Sequence, residues 1–300
     1  MVRLKTLGLS VCLMATTVAW GCATASDGRK VVLSGEQVLI VWDEKTKTQH
    51  FVRQAKFDTE APDFGFVVPT PSVPELAEAD ETVFGLLADY LFARLQTLGG
   101  DSRGGSAGGK GSVEVIQVKQ VGDYVATTIR AKDGKSLAEW LGENGFVSRA
   151  ALESWCGYYA KQKWVFTAFR YSGSVLGSVK AQAVRLSFKT NRPRYPYKMP
   201  SDTTATDRAR PMSLYFVGPS EVYGRLSGTE TNWTTAAPWT QEFSGEIVRE
   251  VGEMVGLKPT SFPDQATLSF FRITDHKYGF DRDVEFRPVT DPVAWLMSRA

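Results

Sequence analysis

Two histidines, His50 and His276, are the only side chains in this 300-residue sequence that titrate near neutrality unaided, so general-base chemistry would start from them. Each would need an acidic partner and a nucleophile within hydrogen-bond reach. Three carboxylates follow His276 at alternate positions, Asp281, Asp283 and Glu285. On a strand that spacing turns all three to one face, and oxygen clusters of this kind hold calcium. A wet strand face backed by Phe280, Val284 and Phe286 explains the same spacing, and no glycine-containing calcium loop interrupts it. His50 stands between Thr48 and Val52 in a strand pattern, where an exposed or half-buried structural histidine is the simpler account. No cofactor is expected.

Two further motifs share one glycine-rich stretch, residues 99–112, half of which is glycine. Gly104, Gly109 and Lys110 have the spacing of a phosphate-binding loop, but Gly111 occupies the position where Ser or Thr must hold magnesium. Gly104, Ser106 and Gly108 match a hydrolase nucleophile elbow, and His276 follows in the right chain order. An elbow needs a strand before the serine and a helix after it, and neither is legible here. The stretch reads as a flexible surface loop. Cys156 shares a helical stripe with Leu152, Trp155 and Tyr159, which makes it a small core residue. Trp233 and Trp239 are amphipathic aromatics in a C-terminal part rich in them, and they are the binding candidates.

The elements that would position these residues follow from periodicity. The apolar run Val38 to Trp42, the polar Asp43 to Thr46 and the run from Thr48 to Ala55 predict a β-hairpin. Asp63 to Pro69 continues as a strand stopped by Pro69 and Pro71. Val83, Leu87, Leu91, Leu95 and Leu98 predict a helix over 80–98 that ends at Gly99. Strands are expected at 113–118 and 124–130, followed by a helix capped by Ser136 with Glu139 and ending at Gly145. A second helix should begin near Ser148. Further strands are expected at 163–170, 184–188, 213–217, 266–274 and 284–286, and a helix at 244–256. Strands and helices do not alternate, which predicts an α+β fold: a largely antiparallel sheet with several packed helices in a single large domain.

Arg3 and Lys5 precede an apolar run from Leu7 to Trp20, and Ala23-Thr24-Ala25 completes the pattern of an export signal. The run is shorter than the roughly 20 residues of a membrane span. Cleavage at Ala25 would leave residues 26–300 as an extracytoplasmic domain, periplasmic or secreted, with no transmembrane segment. Lipidation at Cys22 would instead give a lipoprotein. The 35 Lys and Arg against 33 Asp and Glu include Arg3 and Lys5, so the mature charge is zero, and no nucleic-acid partner is expected.

Three stretches occur together: Val38 to Asp43 running into Asp63 to Pro71, Leu137 to Phe146, and Trp164 to Phe169 leading to Val184–Phe188 and Tyr195–Tyr197. In this combination the chain resembles a bacterial exported family catalogued as domain of unknown function 2330. The resemblance implies export and a bacterial source and supplies no catalytic residues. The expected function is non-catalytic binding of a protein or an envelope polymer. The alternative is a hydrolase of an envelope or extracellular substrate built on His50 or His276.

Overall fold

The computed structural model describes residues 23–25, 28–92, 114–172, 176–202, 211–233, 235, 239–274 and 281–290. The segment 3–20, Cys22, the glycine-rich stretch 99–112, the end of the predicted helix beyond Phe92, and His276 with Asp275 and Phe280 lie outside them.

The expected hairpin is the centre of the fold. Strands β2 (Val31–Asp43) and β3 (Thr48–Thr59) pair antiparallel, with Val41 opposite His50 and Asp43 opposite Thr48. The Asp43 carboxylate closes the turn by accepting from the Thr46 amide at 3.0 Å and the Thr46 hydroxyl at 2.6 Å. Alternate residues serve different cores: Val38, Ile40 and Trp42 face one, Leu39 and Val41 the other. A strand buried on both faces has no polar alternation to keep, which is why this run is continuously apolar.

Around the hairpin an eight-stranded sheet forms. On one side β2 pairs parallel with β12 (Met212–Gly218), which continues antiparallel to β15 (Ala266–Ile273) and β14 (Trp239–Phe243). On the other, β3 pairs with β10 (Val184–Lys189) and β9 (Gly177–Lys180), and β10 with β5 (Glu75–Glu78). A five-stranded antiparallel sheet faces it, ordered β1 (Ala23–Ala25), β4 (Asp63–Thr70), β8 (Val165–Ser172), β7 (Tyr124–Arg130), β6 (Glu114–Val121). Between the sheets Phe57 packs on Phe64 and Phe66, at ring separations of 4.8 and 5.6 Å. A three-stranded sheet joins the same core through β11 (Arg194–Tyr195), β16 (Val284–Pro288) and β13 (Val222–Leu226).

Helices cover the outer faces. Val83, Phe84, Leu87 and Leu91 of α1 (Val83–Phe92) share a core with Val251 beside the eight-stranded sheet, and Val251 lies on the helix Glu246–Met254, which is α4. The two intervening helices, α2 (Gly134–Glu143) and α3 (Ala150–Lys161), pack Leu137, Trp140 and Trp155 against Ile129 and Phe166 of the five-stranded sheet. At Gly134 a β-carbon would stand 2.3 Å from the Glu153 carbonyl oxygen, so only glycine lets these two helices approach this closely.

Several expectations are corrected. The protein is predominantly β, with mixed and antiparallel sheets, and the helices are a smaller part than the α+β expectation made them. Asp133, not Ser136, caps α2, its carboxylate accepting from the Ser136 amide at 2.8 Å. Pro69 lies inside β4, opposite Phe166 of β8, so it does not stop the strand. Arg185 and Ser187 alternate with apolar residues along β10, a pattern that reads as half-buried, yet both are buried, and Arg185 donates to the Val255 and Gly256 carbonyls at the end of α4. Ala25 is completely buried in β1, opposite Phe64 of β4, and this leaves the expected cleavage there untested.

Candidate functional site

Where the three-stranded sheet meets the end of the eight-stranded one, a cleft of about 240 Å³ opens. The β2–β3 turn contributes Trp42, Glu44 and Lys47, and the link from β10 to β11 contributes Asn191, Arg192 and Pro193. The end of β12, the following turn and β16 supply Phe216, Ser220, Phe286 and Arg287. Phe216 and Phe286, 4.9 Å apart, form an apolar floor, and the Lys47 ammonium stands 5.8 Å over the Trp42 ring. Pro193, Pro219 and Pro288, whose rings fix φ, stiffen the rim.

One carboxylate beside the cleft meets three guanidinium groups. Glu285 accepts from Arg287 at 2.8 Å and lies 3.6 Å from both Arg192 and Arg194. Sheet geometry creates the arrangement: Arg194 of β11 is directly opposite Glu285 of β16, and Arg287, two residues further along, projects from the same face. Arg194 also lies over the Trp164 ring at 5.2 Å. The Nε atoms of Arg194 and Arg287 are buried and donate to no acceptor among the described residues. Native proteins leave few buried donors in that state.

A second cavity, of about 50 Å³, lies between the facing sheets. Arg53 donates to Glu36 at 2.5 Å and lies over the Phe66 ring at 4.7 Å, while the Tyr195 hydroxyl donates to Glu36 at 2.9 Å. This space suits a few waters. The ion pair joins neighbouring strands of the eight-stranded sheet, while the Arg53–Phe66 contact reaches the five-stranded sheet and the Tyr195–Glu36 hydrogen bond the three-stranded one. The larger cleft is the candidate site.

The residues singled out in the sequence do not meet there. His50 Nδ1 is 2.8 Å from Ser187 Oγ, but both are more than nine-tenths buried as a cross-strand pair and line neither cavity. Burial, and then the Arg185 charge, push His50 down to about 4, so it is neutral at physiological pH. Trp233 is a correction: it is buried against Tyr197, Phe271 and Phe286 and presents no binding surface. Trp239, by contrast, is exposed on the edge strand β14.

The one-faced carboxylate cluster is also corrected. Asp281 is largely exposed, and Asp283 is sealed in the core, accepting from the Tyr159 hydroxyl at 2.6 Å and the Lys198 amide at 3.2 Å. Burial raises the Asp283 pKa. Glu285 is taken by arginines. Among the described residues no three of His, Cys, Asp and Glu come together as a metal site. Cys156 is buried in α3.

Sequence reasoning missed Trp42, Lys47, Arg192, Arg194 and Arg287. The one local signal was arginine beside proline, in Arg192-Pro193-Arg194 and Arg287-Pro288, a pairing that sets cations on stiff backbone.

No helix among the described residues is long and apolar enough to cross a membrane. The crystal structure of baculovirus P35 is similar over 72% of this chain and 76% of its own, with a TM-score of 0.39 and 10% identity, too distant to carry any inference. No curated protein matches the sequence. Residues 14–228 match the family described as uncharacterized proteins conserved in bacteria, DUF2330, and the chain belongs to that family.

Proposed function

We propose that this is an exported, non-catalytic binding protein of the bacterial envelope or extracellular space, and that its ligand seats in the cleft between Trp42, Arg192 and Arg287. The observation that carries this is the cleft itself: concave, floored by aromatic rings and edged by a few convergent polar groups, the usual form of a ligand site. Ser220 is the one hydroxyl among its described walls, which include no histidine or cysteine. Among the described residues the one histidine–serine pair a hydrolase could use is His50–Ser187, and it is buried and lines neither cavity. Export is supported by the basic start and apolar run of the first twenty residues.

The test is to block the cleft. Ser220→Trp places a ring in its mouth without touching a buried hydrogen bond. Wild type and variant, both shown to melt cooperatively, are incubated with bacterial envelope extract and recovered, and the retained compounds are identified by mass spectrometry. A ligand retained by the wild type and lost from the variant is the expected result. Identical retention by both would refute the assignment of the cleft.

A further inference from the structure

We propose that the cleft is an anion site, taking a small organic acid whose oxyanion meets Arg192 and Arg287 and whose ring-sized apolar body lies over Trp42, Phe216 and Phe286. This rests on the cleft being the binding site and specifies the chemistry it recognises.

Three observations converge. The described walls carry three cations, Lys47, Arg192 and Arg287, against one anion, Glu44. Immediately behind them, Glu285 is the one carboxylate paired with three guanidinium groups, so the cluster retains a surplus of positive charge. Closely placed cations repel one another, and a second carboxylate or a phosphate would relieve that repulsion. Arg287 already commits Nη2 to Glu285, while its Nε is buried and donates to nothing described. Guanidinium groups present planar forks of donors suited to an oxyanion, which an ammonium does not offer.

Size and polarity narrow the class. A cavity of about 150 Å³ accepts a benzene ring, and 240 Å³ therefore admits one ring with a short acidic substituent. Inorganic phosphate alone would leave most of the 240 Å³ unfilled. An extended polyanion would need a long basic stripe, whereas the 35 basic residues of the whole chain are nearly balanced by 33 acidic ones.

The experiment is titration calorimetry of the purified protein at low salt with four probes: phenylacetate, phenyl phosphate, the neutral isostere phenylacetamide, and inorganic phosphate. At least one ring-bearing acid should bind saturably, at least tenfold more tightly than phenylacetamide and than inorganic phosphate. Arg192→Gln and Arg287→Gln should each weaken it about tenfold or more, with melting temperatures showing that both are folded, while the remote Arg249→Gln leaves it unchanged. Which acid binds more tightly distinguishes carboxylate from phosphate recognition. Phenylacetamide binding as tightly as the acids would overturn the anion inference and leave the cleft as a binding site. No binding of any probe would overturn the ligand class, and only the Ser220→Trp comparison would decide whether the cleft binds at all.

Discussion

Acidification should destabilise this protein in part through His50. The side chain lies directly across from Ser187, 9% exposed, with Arg185 and Lys189 disfavouring its charge and Asp43 and Glu75 favouring it. Burial is the largest influence, and the folded protein takes up the His50 proton only at about pH 4. The unfolded chain takes it up near 6.5. Between those values the unfolded state binds more protons, so stability rises with pH. The contribution is fully present above about pH 6.5 and is lost as pH falls toward 4. At about 1.4 kcal/mol per pH unit of separation, the loss is about 3 kcal/mol.

Urea unfolding of the wild type and His50→Gln at half-unit steps from pH 7.5 to 4 checks this. The substitution shifts the whole curve by some constant amount, so the pH dependence of the difference is what matters. The wild type should lose about 3 kcal/mol more than the variant across the window. Asp283 acts with the opposite sign: burial raises its pKa, so the stability it contributes is present at low pH and is lost as pH rises through its folded value. Both proteins carry Asp283, and its effect cancels. Parallel profiles would show that His50 is not held neutral, and the sealed geometry that excludes it from catalysis would fall with that result.

The contact between α2 and α3 predicts opposite outcomes for two alanine substitutions in one helix. Gly134→Ala would place a methyl 2.3 Å from the Glu153 oxygen and 2.6 Å from the Gly157 nitrogen, both backbone atoms, and should destabilise by about 1–3 kcal/mol. Gly142→Ala meets nothing nearer than Ser148 Cβ at 3.9 Å and should stabilise by about 0.5–1 kcal/mol, so melting curves that move in the same direction would refute the close approach. At the N-terminus, a chain starting at residue 26 lacks β1 and should melt below one starting at Ala23, since Ala25 is buried and pairs with Phe64. Equal melting temperatures would make β1 dispensable and favour cleavage at Ala25.

Much of the fold was legible wherever one residue pattern had one structural meaning. The Val38 to Trp42 run, the leucine spacing of α1, the Cys156 stripe of α3 and the run that became β15 all correspond to described elements. Short strands such as β5, β9, β11 and β13 were not legible, because two to five residues carry no period and exist only through their partners. The α2 start was misplaced because Ser136 with Glu139 and Asp133 with Ser136 are both valid caps in sequence. The Gly134 approach to α3 favours the earlier one. Trp233 and the carboxylates misled for a related reason. Alternation predicts which residues share a face, but Asp281 and Asp283 precede β16 and only Glu285 lies within it.

The candidate site was hidden because no single segment contains it. Residues 42–47, 191–193, 216–222 and 286–288 converge only after β12 has paired with β2 and β16 has paired with β11 and β13. The family match ends at residue 228, before β14, β15, α4 and β16. Yet β15 pairs along the whole of β12, and β16 brings both Glu285 and Arg287. A chain stopped at residue 228 would therefore expose the β12 edge and leave Arg192 and Arg194 without their carboxylate. The later strands complete the sheets and the charge pattern of the cleft together, so the candidate site extends beyond the segment that identifies the family.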